Sequence, residues 1–287
     1  MRGIVTKGVA SVFDVETQSG EKVTALARGK LKRGGEIYVG DTVELSKEGS
    51  RFVITEVFPR KNCLIRPYVA NVDVVFAVIA PVPKPDLTLV DKLIVDAFTA
   101  EVEPIIVVNK SDLDDKLTEE IAAEYRNVAK VVAASAKTGE GVDEIVSFAK
   151  GKTACFAGQS AVGKSSLLNA VLKSDVLKTG GLSKIERGRH TTRVSEIVKV
   201  GGARFVDTCG FSMLELPQKF DPAKLQYFYD DFSDYAVSCR FRGCSHTTEP
   251  DCEVKKAVES GKISKARYDR YVELYNELNE KWRKRYD

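Results

Sequence analysis

The stretch Gly158-Gln159-Ser160-Ala161-Val162-Gly163-Lys164-Ser165 constrains this chain more than any other. Glycine, four variable residues, then Gly-Lys-Ser is the pattern that wraps a phosphate in successive backbone N–H groups. Glycines are required because a side chain would block the backbone conformations the turn must take. Lys164 brings a point charge to the outer phosphates, and the Ser165 hydroxyl is suited to ligate Mg²⁺. The flanks agree with this reading. Thr153–Ala157 is a short apolar run that predicts a buried strand. Leu167, Leu168, Val171 and Leu172 recur at helical spacing behind the loop. The candidate phosphate-binding set therefore runs from Gly158 through Ser166 at the start of that helix.

Apolar, β-branched runs alternating with helical patterns extend this unit upstream. Val72–Ala80 is almost uninterrupted hydrophobe, as in a central strand of a parallel sheet. Asp86 is a suitable N-cap for a helix bearing Leu87, Val90, Leu93, Ile94 and Ala97 on one face. Pro104–Val108 predicts a second strand, followed by a helix with Leu117, Ile121 and Ala122 inward. Lys130–Ala134 predicts a third strand and Val142–Ala149 a further helix. The expectation is a doubly wound α/β sheet with ligand loops at the carboxyl ends of its strands.

Two of those strand ends carry base-recognition chemistry. In Asn109-Lys110-Ser111-Asp112 the aspartate carboxylate can accept from guanine's ring N–H and exocyclic amine together. Adenine lacks both donors on that edge, so Asp112 would select guanine. Asn109 can reach the N7 side of the purine, and the Lys110 stem can lie along its face. Ser135-Ala136-Lys137, after the next strand, would offer a backbone N–H to the guanine carbonyl oxygen.

Downstream of the phosphate loop, Ser174–Arg193 is rich in Gly, Lys and Arg and reads as a switch loop ordered by nucleotide. It ends in Gly188-Arg189-His190-Thr191-Thr192, where either Thr191 or Thr192 could join Ser165 on Mg²⁺. A hairpin of Val194–Val200 and Ala203–Val206 follows, turning at Gly201-Gly202. It leads to Asp207-Thr208-Cys209-Gly210. Asp207 would hold the metal through water, and the Gly210 N–H would sense the γ-phosphate. All parts of a guanine-nucleotide domain are present, but the base-selecting motifs precede the phosphate loop. A sheet tolerates such a circular permutation because its ligand loops converge whatever the chain order.

The ends of the chain read differently. Residues 1–66 show strand-like pieces at Gly3–Val15, Glu21–Arg28, Asp41–Ser46 and Arg51–Phe58, matching a five-stranded OB-type barrel. Arg28, Lys30, Lys32 and Arg33 cluster in one loop, which reads either as an RNA-facing loop or as ordinary solvated surface. Near the other end, Cys239, Cys244, His246 and Cys252 form Cys-x4-Cys-x-His-x5-Cys. This is a complete tetrahedral ligand set for one structural Zn²⁺, with no open position for catalysis. It takes half of the six cysteines and one of the two histidines. The final segment, Ser264–Tyr286, carries Tyr268, Tyr271, Val272, Tyr275, Leu278 and Trp282 at helical spacing, a stripe that would pack on the zinc module. Its basic end, Lys281–Arg285, could touch RNA or be solvated. The expected division is 1–66 barrel, 67–219 permuted nucleotide domain and 220–287 mostly helical zinc module. No run approaches the roughly 18 apolar residues of a membrane span, and the N-terminus lacks a signal-peptide core. A cytoplasmic monomer with no membrane contact is expected.

With these motifs in place, the chain closely resembles the bacterial ribosome-small-subunit-dependent GTPases, a circularly permuted family that acts late in small-subunit assembly. The resemblance spans barrel, nucleotide domain and zinc module, with Cys209 standing where the family has proline. It implies slow GTP hydrolysis stimulated by the small subunit, contact with ribosomal RNA, and GTP, Mg²⁺ and Zn²⁺ as ligands. Phe211 occupies the place where many GTPases carry the glutamine that orients the attacking water. His190 is the candidate to replace it, beside Lys164, Thr191 and Thr192 in the catalytic set; its alternative role is to anchor the loop or contact RNA. Two other functions remain open at this level. One is an RNA-binding scaffold whose nucleotide is structural. The other is a P-loop kinase, disfavoured by Asp112 and by the lack of an acceptor motif.

Overall fold

A computed structural model of the chain describes residues 1–28, 36–64, 68–179, 195–207 and 220–284, with backbone alone over 175–179. Strands β1 (Arg2–Val9), β2 (Val12–Thr17), β3 (Lys22–Ala27), β4 (Thr42–Glu48) and β5 (Arg51–Val57) run in the order β1-β2-β3-β5-β4. Pairing of β4 back onto β1, with Gly3 opposite Val43, closes them into a barrel. Alternate residues fill its interior, among them Val5, Phe13, Val15, Ala25, Val43, Leu45 and Ile54. The single strand expected over Gly3–Val15 is in fact two. The chain reverses at Ala10-Ser11, where Ala10 takes φ +55°, and Val9 comes to lie opposite Val12. That reversal supplies the fifth strand the barrel needs. Of the basic loop residues, Arg28 lies 3.6 Å from Glu48; Lys30, Lys32 and Arg33 lie outside the described residues.

Two short strands, β6 (Cys63–Leu64) and β7 (Val69–Ala70), pair across the expected boundary between residues 66 and 67. Then β8 (Val74–Ile79), α1 (Leu87–Thr99), β9 (Glu103–Asn109), α2 (Asp115–Glu124), β10 (Lys130–Ala134), α3 (Val142–Ala149), β11 (Thr153–Ala157) and α4 (Lys164–Thr179) alternate. A hairpin, β12 (Glu196–Val200) and β13 (Ala203–Asp207), completes the α/β layer. Its turn is tight because Gly201 and Gly202 both take positive φ, +56° and +80°. The strand order is β10-β9-β8-β11-β13-β12, all parallel except β12.

Burial on both faces explains why β8 reads as a continuous hydrophobic run. Val74, Phe76 and Val78 pack beneath α3 and α4. Val75, Ala77 and Ile79 face the other side, where Leu93, Ala97, Val90 and Ile94 of α1 cover them. Asp86 caps α1 by accepting from Leu89 N at 2.9 Å. In α2 only Ile121 is buried; Ala122, expected inward, is exposed, and the inward group one turn on is Tyr125. The connections after β8 and β11 leave in opposite directions across the sheet. The gap between these neighbouring strands is therefore the switch point, where doubly wound sheets bind ligands.

The last part of the chain is mostly helical: a 3-10 turn at Pro222–Phe228, then α5 (Asp230–Ala236), α6 (Glu253–Glu259) and α7 (Lys265–Arg283). Ser264 caps α7 through the Arg267 N–H at 3.3 Å. The core of this part contains Leu225, Tyr229, Phe232, Val254, Tyr271, Leu274 and Leu278, with Val95 contributed by α1. The buried stripe of α7 is thus rotated from the expected one. Arg267, Tyr271, Leu274 and Leu278 lie innermost, while Tyr268, Val272 and Tyr275 pack at its margin.

Candidate functional site

The carboxyl ends of β8, β9, β10, β11 and β13 lie side by side, so loops far apart in sequence converge on one edge. Ala134 is opposite Asn109, and Ala157 is opposite Ala77. On this edge lies a pocket of about 380 Å³ whose walls include Asn109, Lys110, Asp112, Ser135, Ala136 and Lys137, closed on one side by Gly163 and Ser166. The base-recognition residues and the phosphate loop thus share one pocket.

Each recognition side chain is held in place. Asn109, 1% exposed, donates from Nδ2 to Val162 O at 2.7 Å and accepts from Ala136 N at 3.2 Å. It ties the phosphate loop to the loop after β10 and so sets the spacing between base and phosphate sites. Lys110, at φ +61°, spans the mouth; its Nζ donates to Val82 O and to Ala161 O, the latter at 3.0 Å. Its stem is left along the pocket wall. Ser111 is buried and donates to Glu140 at 3.3 Å. Asp112 accepts from Ser135 Oγ at 2.7 Å, and Lys137 Nζ lies 3.7 Å from its other oxygen. The Ser135 hydroxyl bond, helped by Lys137, holds the Asp112 carboxyl below the usual carboxylate range. The group is therefore an ionised acceptor, as recognition of two N–H donors requires.

The phosphate loop follows from its glycines. Gly158 sits at φ +135°, and a Cβ there would lie 2.2 Å from Val78 O. Gly163, at φ +97°, would drive a Cβ to 2.3 Å from Asn109 Nδ2. Lys164 Nζ bridges the carbonyls of Gly158 and Gln159, each at 2.7 Å, and burial lowers its pKa. Gln159 accepts from Asp86 N at 2.9 Å and donates to Lys84 O at 3.1 Å, fastening the loop to the proline-rich segment after β8. Val162 is buried beneath the loop, whereas Ser160, Ala161, Ser165 and Ser166 are exposed.

For a magnesium ion the donor set is oxygen-rich, as that ion prefers. Ser165 begins α4 behind β11, and Asp207 ends β13, the strand paired directly with β11. Both fit the role. His190, Thr191, Thr192, Cys209, Gly210 and Phe211 lie outside the described residues.

The second candidate centre is separate. One ligand atom each from Cys239, Cys244, His246 and Cys252 lies within 4.8 Å of the others. His246 Nδ1 faces the thiols, 3.6 Å from Cys239 Sγ and 3.4 Å from Cys252 Sγ. Its Nε2 meets Gln226 Oε1 at 2.9 Å, which fixes the ring's orientation from outside. Three thiols and an imidazole nitrogen converging in a largely buried position fit Zn²⁺. Glu249 braces the intervening loop by accepting from Ser245 N and Oγ and from Thr247 N. Tyr268 and Tyr271 of α7 donate to His246 O and Ser245 O, which ties the helix to the cluster.

Sequence reasoning missed three features. Gln226 is one. The anchoring of Gln159 is another. The third is a buried ionic network: Arg267 meets Asp91 at 3.0 Å and Asp231 at 3.3 Å, while Arg270 meets Asp91 at 2.6 Å and Glu124 at 2.7 Å. It joins α7 to α1 and to α2, the helix that follows Asp112. One signal was available, since Arg267 stands one turn before Tyr271, Leu274 and Leu278, in register with a buried stripe.

Comparison with known proteins agrees with this geometry. A family model described as RsgA GTPase matches residues 57–217. The protein named small ribosomal subunit biogenesis GTPase RsgA from Caldanaerobacter subterraneus subsp. tengcongensis is 40% identical over 297 residues, covering 100% of this chain and 98% of that one. Its namesake from Thermotoga maritima is 40% identical over 287 residues, covering 96% of each. Among solved structures, YjeQ from Thermotoga maritima superposes with a TM-score of 0.82 at 37% identity, covering 96% of this chain and 98% of that one. YloQ, described as a circularly permuted GTPase, gives 0.80 at 33% identity, with 97% and 95% covered.

Proposed function

The chain belongs to the RsgA GTPase family, and from that premise we propose that it binds the small ribosomal subunit and its RNA, hydrolysing GTP late in that subunit's maturation. It is a GTPase, converting GTP and water to GDP and phosphate. The finer reading is that the subunit stimulates this hydrolysis. The observation that carries the proposal is the pocket shared by Asp112 and the phosphate loop, in a chain whose relatives named for small-subunit biogenesis match it end to end.

In this reading guanine lies between the Lys110 stem and the loop after β10. Asp112 accepts its two N–H groups, with Ser135 and Lys137 orienting the carboxylate, and the Ser135-Ala136-Lys137 loop offers a backbone N–H to its carbonyl oxygen. The N–H groups of 158–166 wrap the phosphates. Lys164 neutralises charge as the γ-phosphoryl leaves. Ser165, Asp207 and Thr191 or Thr192 would hold Mg²⁺, which would supply positive charge to the bound nucleotide. Gly210 reports the γ-phosphate, and His190 orders the attacking water. Cys239, Cys244, His246 and Cys252 would hold one Zn²⁺, which supplies folding energy to the C-terminal module. The chain divides functionally into an RNA-binding barrel at 1–66, the permuted GTPase domain at 67–219 and the zinc module at 220–287.

The test is co-sedimentation of the full chain with isolated small subunits, with GDP or a non-hydrolysable GTP analogue bound. Tighter association with the analogue supports the reading; equal affinity in both states contradicts it. For His190, the comparison is His190→Ala against wild type in subunit-stimulated turnover and in GTP affinity. Lost stimulation with retained affinity supports the water-ordering role, and preserved stimulation removes it.

A further inference from the structure

Where the barrel meets the β12–β13 hairpin there is a second pocket, of about 350 Å³, which shares no lining residue with the base pocket. Its charged walls are Arg2 from β1, Glu16 from β2, and Lys199 and Arg204 from the hairpin. Lys199 and Arg204 are direct partners across the hairpin. Like charges directly opposite on a sheet repel, so this arrangement costs stability unless an anion sits between or beside them. Glu16, 8% exposed, pairs with Lys199 and offsets that charge. Arg204 has no carboxylate within ion-pair distance among the described residues. Arg2 lies over the Phe58 ring at 4.4 Å, with Glu44 only at 4.0 Å. Thr17 and Ser19, whose hydroxyls are 2.8 Å apart, are also lining residues. Two guanidinium forks and two hydroxyls, beside a lysine already paired with Glu16, match the chemistry of a phosphate group.

We propose that this pocket receives a backbone phosphate of RNA, held by Arg2 and Arg204 at the seam between barrel and hairpin. The inference rests on the small-subunit reading above, which makes RNA rather than a free anion the source of the phosphate. Beside this pocket, the seam carries the pairing of Lys7 with Glu196, their ion pair at 2.9 Å, and a core cluster that includes Val39, Ile197 and Val206, with Ile4 packed against it. A phosphate bridging Arg2 and Arg204 fastens the barrel to the hairpin whose second strand ends at Asp207. RNA bound there grips the strand that delivers a candidate metal ligand to the nucleotide.

The experiment measures affinity of the full chain for isolated small subunits across a series of salt concentrations. Wild type is compared with Arg204→Gln and with Gln18→Glu, an exposed rim substitution that adds repulsion without removing packing. Loss of one phosphate contact makes the slope of log affinity against log salt shallower by about 1 for Arg204→Gln. Gln18→Glu weakens binding at low salt, and the difference shrinks as salt rises. Slopes and affinities equal to wild type in both variants would overturn the inference while leaving the subunit reading intact. Absence of wild-type binding would overturn both. Inorganic phosphate is run as a second arm, read by melting temperature. Protection that depends on Arg204, together with an unchanged subunit slope, would assign the pocket to a free phosphate and overturn the RNA assignment.

Discussion

Arg267 and Asp91 meet at 3.0 Å with 1% and 2% of their side chains exposed, although one lies on the last helix and the other on the helix after the central strand. Asp91 also accepts from Arg270 at 2.6 Å, and Arg270 reaches on to Glu124 and to the Tyr125 hydroxyl on the next helix. The C-terminal module with its cluster of three cysteines and a histidine is therefore bolted to the same helices that frame the candidate guanine-recognition loop. Removing Arg267 leaves the buried Asp91 with Arg270 as its one remaining cation among the described residues and takes away the partner of Asp231. Arg267→Met should lower unfolding free energy by about 3 kcal/mol, and Arg267→Met with Asp91→Leu by less than the sum of the single changes. Urea unfolding midpoints check this; a single variant within about 0.5 kcal/mol of wild type would contradict it.

A second carboxylate on the same helix predicts a pH effect. Asp96 is 7% exposed, its Oδ2 makes no hydrogen bond among the described residues, and burial pushes its pKa up to about 7 against the pull of Lys92. The folded state therefore keeps a proton that the unfolded chain releases near pH 4. Its contribution to stability is whole below about pH 4 and is lost as pH rises through 7. Asp96→Asn should be more stable than wild type at pH 8, by on the order of 3 kcal/mol, with the gap closing toward pH 4. Melting temperatures across that range provide the readout, and a gap independent of pH would refute the assignment.

The histidine of the zinc cluster is oriented by Gln226 at 2.9 Å. Losing such an outer hydrogen bond commonly weakens metal binding by about 10- to 100-fold. Gln226→Ala should show a loss of that size in zinc competition against a chromogenic chelator. Full chelation should also unfold the C-terminal module, seen as loss of helical circular dichroism. Unchanged affinity in Gln226→Ala would mean the ring is held by the thiols alone.

Asp112 is the specificity claim. Replacing its carboxylate by an amide puts donors where guanine presents donors, but leaves a match for a purine with a carbonyl at that position. Asp112→Asn should lose GTP binding and gain binding of xanthosine triphosphate, measured by fluorescence titration. Retained preference for GTP would move base recognition away from this pocket.

These residues differ in how far the sequence announced them. Phosphate and guanine recognition need particular residue types at adjacent positions, so Gly158–Ser165 and Asn109–Asp112 could be read directly. The convergence of Cys239, Cys244, His246 and Cys252, a set that could hold a metal ion, was legible for the same reason. The helices and sheet followed from period and burial, down to Val142–Ala149. Ala10-Ser11 hid its turn because the positive φ falls on an alanine, neither residue is Gly, Pro, Asn or Asp, and Ser11 is only a weak turn former set between apolar residues. The network of Asp91, Asp231, Arg267 and Arg270 depends on helices meeting across the fold, so only Arg267, in register with an apolar stripe, gave a local sign. Lys199 opposite Arg204 follows from the two-residue turn at Gly201-Gly202, but the pocket they share with Arg2 and Glu16 needed the barrel and hairpin side by side.

The central claim is that this GTPase works on, and is switched on by, the small ribosomal subunit. GTP turnover of the full chain with and without saturating isolated small subunits tests it most directly. Turnover is expected to be slow for the chain alone and to rise at least about tenfold with subunits, as an external partner does for other slow GTPases. An equal rate in both conditions would contradict it and leave the bound nucleotide a structural role.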